Sequence, residues 1–373
     1  MTITTNRHKI FLAVRVLIAG LATLTAVLFE LEATTTSLLR DPSLISPEDV
    51  DDGPHRRSLI KRDTSDELIK LAERFNQSQT FAINRDTLMP RQFFHIHNMK
   101  TAGTSMDRMM KCAMQRMRDD TGLEVPYYIL HECHRSEYKK CRAGEDHACM
   151  DRMNNSAIVS LCGPLHDLVN IFGWNDSRTY QSVTIFRHPV DRVWSMYRFS
   201  TRLCFQCKNL TTIYKEIDSG NIDPRIDDLC VRHLQNKQTE NLLMGTWMNK
   251  IASEEEKVAE ALYNMKHAFT MIGLTEQMTL THKMLGQVFP WLNETISGSP
   301  KSCPMTHANP SPNNNLCGPG LTHWNLPAHP DEETRHAIIS HNQMDLKLYE
   351  AALEYFELQK QVLGIVKDSV DVK

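Results

Sequence analysis

From Arg91 onward, short apolar runs alternate with longer stretches whose apolar residues recur every three or four positions. That alternation predicts an α/β fold, a central parallel sheet covered by helices. Phe93 to His97, Val125 to His131, Ala157 to Leu161 and Val183 to Phe186 predict strands. After the first run, Met106, Met109, Met110, Ala113, Met114 and Met117 mark the packing face of a helix that begins near Ser105. After the last run, Pro189 suits a first helical turn, where its missing N–H is not needed. Val190, Val193, Trp194 and Tyr197 then form that helix's core-facing stripe. The C-terminal third predicts helices over Glu254 to His267 and Thr275 to Val288. A long helix from about Asp331 to Gln361 follows Pro330.

The first 90 residues read differently. Ile10 to Phe29 is an apolar run broken by charge only at Arg15, with Arg7, His8 and Lys9 ahead of it. As a helix it spans roughly 30 Å, one hydrocarbon core, and Arg15 sits near enough to the basic end to snorkel. Positive charge on that flank holds it in the cytoplasm and sends the rest of the chain to the lumen. The other reading of the segment is a cleaved signal peptide, with the same destination. The organisation expected is a cytoplasmic tail (1–9), a transmembrane signal-anchor (10–29) and a lumenal stem (30–90). A main folded domain (91–362) and a C-terminal tail (363–373) complete it. The stem carries Pro42, Pro47, Pro54 and a charged cluster from Asp49 to Asp52, with a helix near Asp66 to Phe75.

Composition sharpens this picture only in places. The chain has 373 residues, 41% hydrophobic and 23% charged, which fits one large globular domain. A net charge of −3 argues against a nucleic-acid partner held by bulk positive charge, while leaving room for a local basic cleft. Ten cysteines, and N-x-S/T sequons at Asn76, Asn154, Asn175, Asn209 and Asn293, agree with a secretory compartment.

Candidate chemistry centres on Lys100-Thr101-Ala102-Gly103-Thr104-Ser105, between the first strand and its helix. Small and hydroxyl residues at a helix start bring backbone N–H groups close to a phosphate. The lysine precedes the small residues, so this is not the G-x-x-x-x-G-K-[ST] nucleotide loop. A second strand-to-helix junction carries Arg187, with Ser195 about two turns into the helix that follows. In open parallel sheets ligands collect beyond the carboxyl ends of the strands, where both junctions lie.

These two segments together resemble the Golgi carbohydrate sulfotransferases, most closely the heparan sulfate 2-O- and 6-O-sulfotransferase group. Cys162-Gly163-Pro164-Leu165-His166, Asn236-Lys237-Gln238, Ile272-Gly273-Leu274-Thr275-Glu276 and Asp345-Leu346-Lys347-Leu348-Tyr349 follow in the same order, so the likeness covers roughly Phe93 to Phe356 with gaps. The resemblance implies a single P-loop-like sulfotransferase domain and 3′-phosphoadenosine-5′-phosphosulfate (PAPS) as co-substrate. Lys100 to Ser105 would then take the 5′-phosphosulfate, and Arg187 with Ser195 the 3′-phosphate. It also implies a polysaccharide acceptor, His166 as the base and no metal. Among the 17 histidines, His97, His131 and His188 also end strands and are the alternatives. The chain departs from the family pattern in Asn98-Met99 before the lysine, in Ala102 for a common glycine, in Pro164, and in Arg187-His188-Pro189 for Arg-Asp-Pro.

The chemistry is consistent with that likeness. Sulfuryl transfer needs cations or N–H dipoles at the leaving phosphate, a base for the acceptor hydroxyl, and in-line positioning. Arg108, Lys111, Arg116, Arg118, Arg198 and Arg202 are candidates for a basic cleft facing an acidic glycan. Histidines and cysteines from His131 to Cys149 lack zinc-site spacing, and the lumen favours disulfides there. Cys204 and Cys207 suggest structural use, and Cys303 with Cys317 suggests a closed loop. Rival readings are an ATP-dependent phosphoryl transferase, a catalytically silent glycan-binding relative and a protein-tyrosine sulfotransferase.

Overall fold

Five parallel strands form one sheet in the order β2-β3-β1-β4-β5: β1 (Phe93–Ile96), β2 (Tyr127–His131), β3 (Ile158–Cys162), β4 (Gln181–Phe186) and β5 (Met271–Leu274). The computed structural model describes residues 66–76, 93–98, 100–122, 127–131, 148, 151–152, 156, 158–166, 180–200, 204–226, 228–244, 252–289, 291–292, 303 and 326–365. The α/β expectation holds, and each predicted strand falls within two residues of its expected start. β5 had not been expected: it is four residues long and carries Gly273, too short to show a periodicity.

Helix α1 (66–76) precedes the sheet. Leu71 and Phe75 of α1 are buried in the main core, and Arg74 donates to the carbonyls of Lys266 and Phe269. This helix lies inside the expected stem, so the folded unit reaches back at least to residue 66. The anchor expected at 10–29 lies outside the described residues. Among those described, no helix is long and apolar enough to cross a membrane.

Helix α2 (Gly103–Thr121) follows β1, and Met106, Met109, Met110, Ala113 and Met114 are buried against the sheet as packing. Helices α3 (Pro189–Ser200), α4 (Leu210–Ser219), α5 (Asp228–Arg232) and α6 (Lys237–Leu242) follow β4. Val190, Trp194, Tyr214, Leu234 and Ile338 belong to a second, smaller apolar cluster. Helix α7 (Glu254–His267) starts at a full capping box, with Ser253 and Glu256 each satisfying the other's backbone N–H. Helix α8 (Met278–Val288) follows a short 3-10 turn at Thr275–Gln277.

The expected single C-terminal helix is two: α9 (Glu332–Ser340) and α10 (Gln343–Val362). They break at Asn342, whose carboxamide donates to Ile338 O (2.9 Å) and Leu234 O (2.8 Å) instead of facing water. Local side-chain to backbone bonds of this kind compete with helix continuation. On α10, Gln359 bonds both Ile272 N (2.9 Å) and Ile272 O (3.1 Å), so a side chain occupies polar positions on β5.

Cys303 is joined to Cys112 of α2, and not to Cys317 as its spacing had suggested. Sequence proximity carried no information here, because the fold brings residue 303 to α2 across 191 positions. Cys204 pairs with Cys230 rather than with Cys207, three residues away, in line with a structural role.

Candidate functional site

The strand order places a topological switch between β1 and β4. The chain leaves β1 toward β2 and β3 on one side, and leaves β4 toward β5 on the other. Open α/β sheets bind ligands at such a point, beyond the carboxyl ends of the strands. Both candidate turns lie there: Lys100 follows β1 by four residues and Arg187 follows β4 directly.

The two turns touch. The Arg187 guanidinium donates to the Lys100 carbonyl at 3.0 Å, and both residues line one cavity of about 220 Å³. Ser195 of α3 lines it as well, together with Arg198, Phe199 and His329. Three cations against one carboxylate in the wall, Asp191, make it a place for an anion. Its volume lies below the roughly 300–1,000 Å³ of drug-sized sites.

The charge on Lys100 is under strain of its own. Burial, then the neighbouring Arg187, lowers its pKa to about 8. Its ammonium rests 4.1 Å from the Phe199 ring centroid, where a ring face offers partial compensation. Arg187 is likewise shifted down, chiefly by burial, with Asp191 and Glu276 pulling the other way.

Around Lys100 the backbone is tightly specified. Lys100 and Ala102 both adopt left-handed conformations (φ 65° and 64°), each costing about 1–2 kcal/mol in a residue with a Cβ. Ala102 is the N-cap of α2 and supplies no side-chain oxygen to the first turn. A helix of this length presents the positive end of its dipole at that turn. The hydroxyl of buried Thr101 donates to Asn98 O (2.7 Å), so it shapes the turn instead of facing the cavity. Gly103 has a steric reason: an added Cβ would fall 1.8 Å from His97 Cδ2.

Beneath the turn lies a group that the sequence did not announce. His95 Nδ1 is 3.2 Å from Asp107 Oδ1 and 2.9 Å from Ser160 Oγ, and Ser160 donates to Asp107 at 2.5 Å. His97 Nδ1 is 3.3 Å from the other Asp107 oxygen. Burial pushes the His95 imidazole down despite Asp107. Burial alone would raise the Asp107 carboxyl. Hydrogen bonds and charge from His95 and His97 outweigh that and hold it well below the usual carboxylate range. The cluster joins β1, β3 and α2 under the lysine turn. The pairing of His95 and His97 with Asp107 needed the fold.

His166 lies four residues past the end of β3, at a helical position, and is 3% exposed. It does not line the cavity with Lys100 and Arg187, nor do Thr101, Ala102, Gly103, Thr104 or Ser105. Sequence reading did not select His329, Phe199, Asp191 or Trp194 for the wall; His329 comes from a loop with no motif. The Ile272 to Glu276 segment has a clear structural job. Thr275 donates to Phe186 O (3.1 Å), and Glu276 accepts from His188 N (2.8 Å), which straps the β4–α3 turn. No known protein-family model matches the chain, and no curated protein matches it either.

Proposed function

We propose that the protein is a PAPS-dependent O-sulfotransferase acting on a carbohydrate hydroxyl, of the Golgi carbohydrate type, membrane-anchored with its catalytic domain in the lumen. The observation that carries the reading is the shared cavity: Lys100 and Arg187, 87 residues apart, meet at the switch point and present cations to one space. A doubly phosphorylated nucleotide is a ligand that two adjoining anion grips suit. Lys100 and the start of α2 would hold the phosphosulfate end, and Arg187 with Ser195 the 3′-phosphate.

In the reaction the sulfur–oxygen bond to the leaving phosphate breaks as a bond from the acceptor hydroxyl oxygen to sulfur forms. The hydroxyl proton passes to a base, and positive charge at Lys100 stabilises the oxygen that departs. His166 is the proposed base, on the family likeness of Cys162 to His166 and its place four residues past β3. No metal is invoked, since lysine and backbone dipoles supply the charge.

Incubating the full-length protein with labelled PAPS and a panel of desulfated glycosaminoglycans and other polysaccharides tests this. Label on a polysaccharide with matching release of 3′,5′-ADP is the expected result. Label on peptide tyrosine alone overturns the acceptor class, and no release of 3′,5′-ADP overturns the activity. His166→Ala is expected to abolish turnover while nucleotide affinity is kept; unchanged turnover moves the base elsewhere.

A further inference from the structure

Helix α6 touches both anion-binding turns through buried amides. At its first turn, Gln238 accepts from Arg187 N (3.0 Å) and donates to Arg187 O (2.9 Å), so one carboxamide holds both sides of that residue's backbone. One turn on, Asn241 donates to Asn98 Oδ1 at 2.9 Å. Asn98 donates in turn to Thr184 Oγ1 (3.1 Å) and Ile185 O (3.3 Å), and its carbonyl receives the Thr101 hydroxyl. Gln238, Asn241 and Asn98 are each at most 2% exposed, and none lines the cavity.

The helix that carries these amides is itself seated. Asp345 accepts from Gln238 N (3.1 Å), Thr239 N (2.8 Å) and Thr239 Oγ1 (2.8 Å), and lies 3.5 Å from the Arg192 guanidinium. In return Asn236 accepts from Met344 N (3.0 Å) and Asp345 N (3.2 Å). Two helix starts thus cap each other, and α6 is fixed along its length.

We infer that Gln238 and Asn241 are positioning residues that set the span between the Lys100 turn and the Arg187 turn, and so select a ligand with two phosphates over a ligand with one. The inference rests on the proposed nucleotide site and adds to it a source of selectivity outside the cavity wall. Either amide alone would orient one turn. Their spacing on one rigid helix ties the two turns together, and a fixed span rewards a ligand only when it reaches both ends.

The ratio of affinities for 3′,5′-ADP and 5′-AMP, measured by calorimetry on full-length protein, reads this directly. Partial unfolding of a variant cancels in that ratio, so a merely structural role leaves it in place. Wild type is expected to prefer the bisphosphate. Gln238→Ala and Asn241→Ala are expected to lose about tenfold of that preference, the worth of one or two buried hydrogen bonds, with 5′-AMP affinity nearly kept. Gln238→Glu keeps the shape and the acceptor for Arg187 N but turns an oxygen toward Arg187 O, and is expected to lose a similar share. Wild-type preference retained in all three variants overturns the positioning role alone. A wild type indifferent to the second phosphate overturns the nucleotide reading and this inference together.

Discussion

At the scale of single residues, Lys100 and Gly103 carry the sharpest consequences. An ammonium with a pKa near 8 is charged below that pH and loses its charge as the pH rises through it. Anion affinity that depends on this charge should therefore hold at pH 7 and fall above pH 8, by at most about tenfold per pH unit. Calorimetric titration of 3′,5′-ADP between pH 6.5 and 9.5 checks it. Lys100→Arg should bind more weakly at pH 7 because its fork does not match the site, yet should lack the alkaline fall. A flat profile in the wild type would mean that Lys100 is not at the anion. Gly103 is needed for space and not for torsion. Gly103→Ala forces the His97 ring off Asp107 or α2 off β1. The expected cost is about 1–3 kcal/mol in chemical denaturation, the range for overpacking a tight interior.

At the scale of elements, what was legible follows from range. Strands β1, β3 and β4 and the Met face of α2 write their pattern within one run of chain, and local reading found them. The two polar turns were legible as well, because each is a strand followed at once by an unusual run. What failed was long-range: the break at Asn342, held by Leu234; β5, held by β4 and Gln359; and the partner of Cys303. The wall of the cavity divides the same way, with Lys100, Arg187 and Ser195 found and His329 missed. The mutual capping of α6 and α10 is another long-range device, and a costly one to damage. Asp345→Ala strips two backbone N–H groups of their acceptor and leaves Arg192 buried without its carboxylate. Removing one partner of a buried pair costs about 3–5 kcal/mol. Asp345→Asn, which still presents one acceptor oxygen, should lose less. Equal losses in the two variants would show that the charge, and not the capping, is what matters.

At the scale of the whole molecule, α1 decides where the folded unit begins. Its side chains bind two later elements at once: Arg74 donates to Phe269 O (3.0 Å) and approaches the Tyr355 hydroxyl (3.4 Å), while Glu67 meets Lys266 at 2.7 Å. Phe75 is 2% exposed, and burying a phenylalanine that fully is worth about 3–5 kcal/mol against alanine. Phe75→Ala should therefore lower the unfolding free energy by that amount in chemical denaturation, and a chain begun at residue 91 should lose more, since Leu71 goes too. Tyr355 and Asp345 are ten residues apart on α10, about 15 Å along the helix axis. The mount of α1 and the seat of α6 are thus separate loads on one rigid rod, too far apart to share a side-chain contact. Substitutions that distant usually act independently. Phe75→Ala should then weaken the fold while leaving the Kd for 3′,5′-ADP unchanged under conditions where the protein stays folded. Asp345→Ala should shift both. If Phe75→Ala also weakens nucleotide binding in fully folded protein, then α10 transmits the loss, and the site is coupled to a segment that its sequence had marked as stem.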